Sequence, residues 1–384
     1  MTQESKLAAQ FQQLYGRAPT AIARAPGRVE FIGNHTDYNG GAVLGAGIDR
    51  HVWVAVGPGL PGKFRFSSDQ KMTVETLPAD AARKQAGASA WLNYPLGVWN
   101  SLGTAGLARP ADFDFLVHSD LPPGAGLSSS AALELATALA FLSLAAAPAV
   151  TKQRLAEIGR DAENNFVGVP CGVLDQGTSA FAQRYHLVHI DCSGPKFSTI
   201  PMPHGLSVWV FNSLTKHALI DGMYAQRHAE CQQAAKALGV TLLATLTPAG
   251  FQARRAVLSP VLAKRAEHIV EEHARVGKVV AALADGNISE VGKLLTASHR
   301  SSQHLFENST PELDFLVDQL TASPGVLGAR LTGGGFGGAV LALTRSDFGE
   351  SQARLVADAY SGKFGRSPEI LPLQVADGAR LIFP

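Results

Sequence analysis

The sequence predicts a mixed α+β fold arranged as two domains. Three observations carry this: a length of 384 residues, strand-like and helix-like runs alternating through the first half, and long helix-forming stretches crowding the second. A hydrophobic content of 46% is enough for a large buried core.

The amino-terminal stretch MTQESKLAAQFQQLYGRAP places Leu7, Phe11, Leu14 and Tyr15 at helical spacing. It has no basic start and no apolar run, so it reads as an amphipathic helix and not as an export signal. HVWVAV (51–56) and FDFLVHSD (113–120) read as strands, the second passing through a Pro/Gly turn into AALELATALAFLSLAAAPAV (131–150). This alanine-rich run is the most membrane-like in the chain. Glu134, Thr137 and Ser143 interrupt it, and Pro148 ends it short of the ~20 apolar residues that a span needs, so a buried core helix is expected. A helix over 151–166 follows, with Thr151 as N-cap and Leu155, Ile158, Ala162 and Phe166 along one face; GVPCG ends it. SGPKFSTIPMPHGL (193–206) reads as a linker or exposed crossover, dividing the chain into domains 1–200 and 201–384. Beyond it come a strand at 206–212, helices near 222–239, 260–284, 287–304 and 311–321, strands at 328–332 and 339–344, a helix near 349–361 and a strand near 368–375.

With 33 basic and 32 acidic residues, a formal charge of +1 and no block of like charge, the chain has no footprint for nucleic acid or an anionic membrane. Cys171, Cys192 and Cys231 lie far apart and form no CxxC pair, which argues against a disulfide framework and for a reducing cytoplasm. Nothing in the sequence requires more than a monomer.

Three glycine-rich motifs stand out. In DLPPGAGLSSSAALE (120–134) a strand leads in and a helix leaves, with glycines at 124 and 126 and three serines at the helix start. Free N–H groups at a helix start, with glycines allowing close approach, make an anion site; the bland reading is a turn with serine caps. It is not a Walker A loop, because no Gly-Lys pair in the chain is followed by Ser or Thr. LTGGGFGGAVLAL (331–343) formally satisfies G-x-G-x-x-G at Gly333, Gly335 and Gly338, but a strand-like run follows where a dinucleotide site needs a helix. It reads as a tight hairpin, or as a loop whose backbone closes on something. The third motif, GRVEFIGNHTDYNGG (27–41), puts His35 and Asp37 on one turn at the end of a strand, where both could face a small polar ligand. His186 and His189 read as structural, and SLTK (213–216) lacks the partners of a serine–lysine nucleophile site.

Together and in this order the motifs resemble those of the GHMP kinases. PPGAGLSSSAA is similar to their phosphate loop, LTGGGFGG to their third conserved motif, and GRVxxIGxHTDYNGG to the signature of the galactokinase branch. WLNY (91–94), GVPCGVLDQ (168–176), KHALIDGMYAQRHAEC (216–231) and ENSTPELDFLV (307–317) also resemble galactokinase segments, so the likeness spans essentially the whole chain. It implies the two-domain GHMP kinase fold: a ribosomal-S5-domain-2-like N-terminal domain, an α/β C-terminal domain and an active-site cleft between them. It also implies ATP-dependent phosphorylation of the anomeric hydroxyl of galactose, with ATP as co-substrate and Mg2+ as metal ion.

Carried over residue by residue, the resemblance makes Asp175 the catalytic carboxylate and Arg28 the cation beside it, neutralising charge on the γ-phosphate. The phosphates fall to Gly124, Ala125, Gly126, Leu127, Ser128, Ser129 and Ser130, with Ser68 at the nucleotide pocket. Ser130 and Glu163 match the metal contacts. Independently of the likeness, Glu163 falls about 80° from the centre of its helix's apolar stripe, at about 100° per residue, where a carboxylate could look into a cleft. The sugar matches are Asn34, His35, Thr36, Asp37, Gly172 and Tyr224.

Three positions depart from the family pattern. Asn34 stands where glutamate is usual; glutamate only accepts, whereas asparagine donates and accepts and carries no charge. Either galactose is held differently, or specificity has moved to another hexose, N-acetylgalactosamine or a C6-modified sugar. Glu30 replaces a frequent asparagine, where its side chain would support the sugar loop indirectly, and Ala339 replaces a common cysteine, a matter of packing. A sugar- and ATP-sensing regulator on the same fold is the rival from another class, opposed by the intact GLSSSAA loop, Glu163, Asp175 and Arg28.

Overall fold

The structure, a computed structural model, describes residues 2–122, 124–216 and 220–383. Pro123 of the PPGAG motif and His217–Leu219 of the KHALIDG motif lie outside the described residues.

The first half holds α1 (Gln3–Tyr15), β1 (Ala21–Ile32), β2 (Ala42–Gly57), β3 (Lys63–Ser68), β4 (Glu75–Pro78), α2 (Asn93–Thr104), β5 (Phe113–Ser119), α3 (Ser129–Leu144), α4 (Lys152–Asp161), α5 (Leu174–Phe181), β6 (His186–Asp191) and β7 (Lys196–Pro201). The second holds β8 (Leu206–Lys216), α6 (Ile220–Leu238), α7 (Pro248–Gln252), α8 (Pro260–Ala284), α9 (Ile288–Ser301), α10 (Pro311–Thr321), β9 (Val326–Thr332), β10 (Gly337–Arg345), α11 (Glu350–Phe364), β11 (Glu369–Leu373) and β12 (Arg380–Phe383).

Two sheets result. The larger runs β12-β1-β2-β5-β3-β4, and β2, sixteen residues long, is shared: Val52–Gly57 pair with β5 while Ala42–Gly45 pair with β6, which carries β7 at its edge. The smaller, β11-β8-β10-β9, is antiparallel throughout. α3 crosses β1 and β2 with buried alanines and Leu135 and Phe141 on several of its sides, the core helix that its composition predicts. Phe141 of this helix packs with Phe64, Phe66, Phe113 and Phe115 of the sheet in a cluster with centroid spacings of 4.3–6.1 Å.

Three expectations need correction. The stretch read as a linker contains β7, an edge strand with no buried residue; a half-solvated edge with prolines around it has little apolar signal. β12, not read as a strand at all, returns the carboxyl end of the chain to β1 in the first-half sheet. The helix expected over 151–166 stops being α at Asp161 and continues as a π-type turn over Ala162–Val167, closed by Gly168 at φ +84°. The wider turn moves Glu163 off the phase calculated for a regular helix, and its residue is only 6% exposed.

β1 carries the site. Its register against β2 shifts between Pro26 and Arg28 and again between Glu30 and Ile32. Bulges of this kind bend a strand and re-aim its side chains, and Arg28 and Glu30, two residues apart, face the same side between them.

Candidate active site

A cavity of about 460 Å³ opens where the end of β1, the turn after it, the 168–175 loop, α6 and the β9–β10 hairpin meet. A second, polar depression adjoins it over the phosphate loop, sharing Arg28, Asp175, Gly333 and Gly334 with the first.

Asp175 lies in the first turn of α5 at the junction of the two. Arg28 Nε donates to Asp175 Oδ1 at 2.8 Å and Nη2 pairs with the same oxygen at 2.6 Å, while Ser128 Oγ donates to Oδ2 at 2.6 Å. A carboxylate offers about four lone-pair sites, so one on Oδ2 is left for a substrate. Arg28 Nη1 donates to Gly126 O at 2.7 Å, leaving two of the five guanidinium hydrogens without a partner among the described residues, on a side chain that lines both depressions.

The phosphate loop is wound by left-handed residues: Gly124 (φ +76°), Gly126 (φ +69°) and Ser128 (φ +55°). For serine this conformation is uncommon and strained, and here it turns the hydroxyl onto Asp175. α3 begins at Ser129, so the first N–H groups of a sixteen-residue helix point into the depression with Ser129 and Ser130. Ala125 and Leu127 face inwards and anchor the loop; Leu127 O accepts from Arg28 N at 3.0 Å. Ser68, at the end of β3, pairs with Val117 of β5 and lines neither depression.

Around Glu163 lies a carboxylate cluster that the sequence did not disclose. Gln176 Nε2 donates to Glu163 Oε2 at 2.6 Å and to Glu134 Oε2 at 2.9 Å, and Ser130 also hydrogen-bonds Glu163. Burial, and then the charge of Asp175, holds the Glu163 carboxyl above its usual range. Burial and Glu163 do the same to Glu134, whose Oε1 has no partner among the described residues. Its one legible signal was a lone charge inside an apolar helix. A hydroxyl and a carboxylate among surplus negative charge are hard oxygen donors that suit Mg2+ arriving on nucleotide phosphates, which needs one or two carboxylates from the protein.

On the sugar turn the predicted residues divide. Asp37 faces the cavity, and among the described residues its carboxylate takes hydrogen bonds only from the backbone N–H groups of Tyr38 and Asp37. Burial, then the charge of Glu30, lifts its carboxyl to about 7. Gly172 packs so close that any Cβ there would overlap Asp37 Oδ2. Tyr224 lines the same cavity, its ring 5.0 Å from that of His35. His35, at φ +60°, has both nitrogens engaged: Nε2 lies 3.0 Å from Gly334 O and Nδ1 2.9 Å from Tyr38 Oη. Burial holds its pKa at about 3, so the ring is neutral, donating from Nε2 to the carbonyl and accepting at Nδ1 from the phenol. Thr36 is fully buried behind the cavity, its hydroxyl shared between Gly33 O and Ala42 O. It shapes the turn.

The turn is bolted to the second half of the chain by residues that sequence reasoning missed. Gly33 N and Asn34 N donate to Glu272 Oε1 at 3.1 and 3.2 Å, and Arg330, fully buried, pairs with Glu30 at 2.8 Å and holds the carbonyls of Glu30 and Phe31. Asn34, also fully buried, donates to Glu30 Oε1 at 3.1 Å. A charge inside the strand-like GARLT was the one sequence signal for Arg330. The LTGGGFGG motif is the β9–β10 hairpin, wedged between sugar turn and phosphate loop by its backbone: Gly333 O and Gly334 O accept from Asn34 and His35.

This arrangement is the one the resemblance to GHMP kinases implies, and the comparisons place the chain in that class. Family models for the GHMP kinase N-terminal and C-terminal domains match residues 93–183 and 279–365. Mevalonate kinase from L. major shares the fold at a TM-score of 0.65 and 18% identity, with 93% of this chain and 96% of that one covered. Within that class the chain belongs to the galactokinase family. The galactokinase galactose-binding signature matches residues 9–58. The galactokinase of Thermotoga maritima is 38% identical over 361 residues, covering 94% of this chain and 99% of the relative. That of Roseiflexus sp. is 37% identical over 383 residues, covering 98% and 97%. The crystal structure of Lactococcus lactis galactokinase complexed with galactose superposes with a TM-score of 0.94 at 31% identity, covering 99% of this chain and all of that one.

Proposed function

We propose that the protein transfers the γ-phosphoryl group of ATP to the anomeric hydroxyl of galactose. The observation that carries this is the placement of Asp175 and Arg28 on the seam between a sugar-sized polar cavity and a helix-start phosphate site. The sugar lies against Asp37 and Tyr224 with its reacting hydroxyl towards Asp175 Oδ2, the oxygen with a free lone pair. As that hydroxyl attacks, Asp175 takes its proton while Arg28 and Ser128 hold the carboxylate still. The two free Arg28 hydrogens and the N–H groups at the start of α3 stabilise charge on the transferring group. Ser130 and Glu163 would hold a magnesium ion, whose charge would offset that of the phosphates.

Family membership and the free lone pair on Asp175 favour turnover over mere sensing. The three cysteines are unpaired in the described structure, in keeping with work in a reducing cytoplasm; among the described residues no helix is long and apolar enough to cross a membrane. ADP release with MgATP across galactose, its epimers, N-acetylgalactosamine and galacturonate tests the reading. Galactose is expected to rank first by kcat/KM. Another sugar far ahead of it overturns the substrate, and silence with every sugar overturns the kinase.

A further inference from the structure

The sequence singles out Asn34 as a sugar contact of altered type, but hydrogen-bond accounting at that residue points elsewhere. An asparagine side chain has two donors and two acceptor lone pairs. Asn34 Nδ2 donates to Gly333 O at 2.8 Å and to Glu30 Oε1 at 3.1 Å; its Oδ1 accepts from Asn308 Nδ2 at 2.8 Å and Ser302 Oγ at 3.3 Å. Its N–H reaches Glu272, and its carbonyl accepts from His268 Nε2 at 3.1 Å. Reversing the amide would set its oxygen against two acceptors, Gly333 O and Glu30 Oε1, so the orientation is fixed. Every side-chain valence is occupied by protein, and the residue is fully buried. A sugar hydroxyl could reach Asn34 only by displacing one of these partners.

Glu30 is the reverse case. Oε1 accepts from Arg330 Nη2 at 2.8 Å and from Asn34, whereas Oε2 has no partner among the described residues and is not sealed in; the residue lines the sugar cavity. At 4% exposure this is a buried carboxylate with one idle oxygen. Glu30, Asp37 and Tyr224 line the same cavity, and the charge of Glu30 acts on the other two. Bulges on either side aim it, and Arg330, anchored on the backbone of Glu30 and Phe31, balances its charge.

We propose that Glu30 Oε2 accepts a hydroxyl of the bound sugar, and that Asn34 is the strut that holds Glu30 and ties the turn to the second half of the chain. This rests on the sugar-kinase reading and adds a specificity-determining residue to it. A fixed carboxylate at this wall selects a substrate presenting a hydroxyl and repels one presenting an acid, so galacturonate is excluded.

The test is a cycle between protein and ligand. KM and kcat are measured for galactose and for its singly deoxygenated analogues, with wild type, Glu30→Gln, Glu30→Asp and Asn34→Ala. Against galactose, Glu30→Gln is expected to raise KM roughly 10- to 150-fold, the size of a lost charged hydrogen bond, with KM for ATP unchanged. One deoxy sugar, strongly penalised by the wild type, should lose that extra penalty in both Glu30 variants. Glu30→Asp retains a charge for Arg330 but draws the oxygen back from the cavity, which keeps the test open should Glu30→Gln fold poorly. A structural role would weaken all the sugars alike, which is the pattern expected of Asn34→Ala. Penalties that stay intact in both Glu30 variants, or vanish in Asn34→Ala instead, overturn the proposal. Silence of the wild type towards every sugar overturns the kinase reading beneath it.

Discussion

Replacing Gly172 by alanine isolates the contribution of Asp37 to sugar binding. The backbone of Gly172 is not left-handed, so alanine meets no conformational penalty there. The new methyl would overlap Asp37 Oδ2 and crowd its Cγ and Cβ. Non-bonded heavy atoms settle at about 3.5–4 Å, so the carboxylate must retreat on the order of 1–2 Å, beyond hydrogen-bonding reach of a hydroxyl it had held. Hydrogen bonds to charged groups contribute about 1.5–3 kcal/mol each, and losing one raises KM for the sugar roughly 10- to 150-fold. The catalytic pair is untouched, so kcat should change by less than about threefold, and the melting temperature should hold. Initial rates of ADP release across sugar concentrations give both constants. A KM within twofold of wild type, in a protein that melts normally, would refute the placement of Asp37 on the sugar.

Three further outcomes follow from the same geometry. Asp175→Asn removes the proton acceptor but keeps the shape, so kcat should fall by ~10²–10⁴ with both KM values largely kept; near-normal turnover removes Asp175 from its role. Sugar hydroxyls donate to ionised Asp37, whose carboxyl sits near 7, so binding at lower pH must first release a proton; KM should climb about tenfold per pH unit below 7 and level off above it. A flat profile from about pH 5.5 to 8 contradicts this, and Asp37→Asn should flatten it. At Glu272, burial opposes ionisation, yet Arg275 and then His268 and Arg330 hold the carboxyl at about 2, below its ordinary 4.5. Its stabilisation, on the order of 3 kcal/mol, is therefore present above pH 4.5 and fades as pH falls towards 2. Glu272→Gln should lower the melting temperature at pH 7 and blunt that acid dependence; an unchanged melting curve contradicts it.

Elements with strong apolar periodicity were legible in the sequence: α1, α3, β2 and β5 lie where Leu7, Phe11 and the runs HVWVAV and FDFLVH put them. β7 and β12 were not, because a strand on a solvated edge shows no such pattern and is defined by its partner. The widening of the helix at Ala162 depends on hydrogen bonds that no periodicity encodes. At the site, chemistry-bearing residues within contiguous motifs were easy to single out, and the structure brings Arg28, Asp175 and the serine run together from three of them. What stayed hidden were the partners. Apart from Glu30, four positions away, the side-chain partners of Asn34 lie 268 to 299 positions on, and Glu30 acquires its counter-ion from a strand 300 positions on. An asparagine with idle valences and one with none are the same letter in a sequence.

The most direct measurement is the identity of the product. The protein is mixed with galactose and MgATP, and the product is read by phosphorus–proton correlation. Coupling of the new phosphorus to the anomeric proton is the expected result. Coupling to the C6 protons, or ADP release with no sugar phosphate formed, would contradict a kinase that sets the anomeric hydroxyl against Asp175.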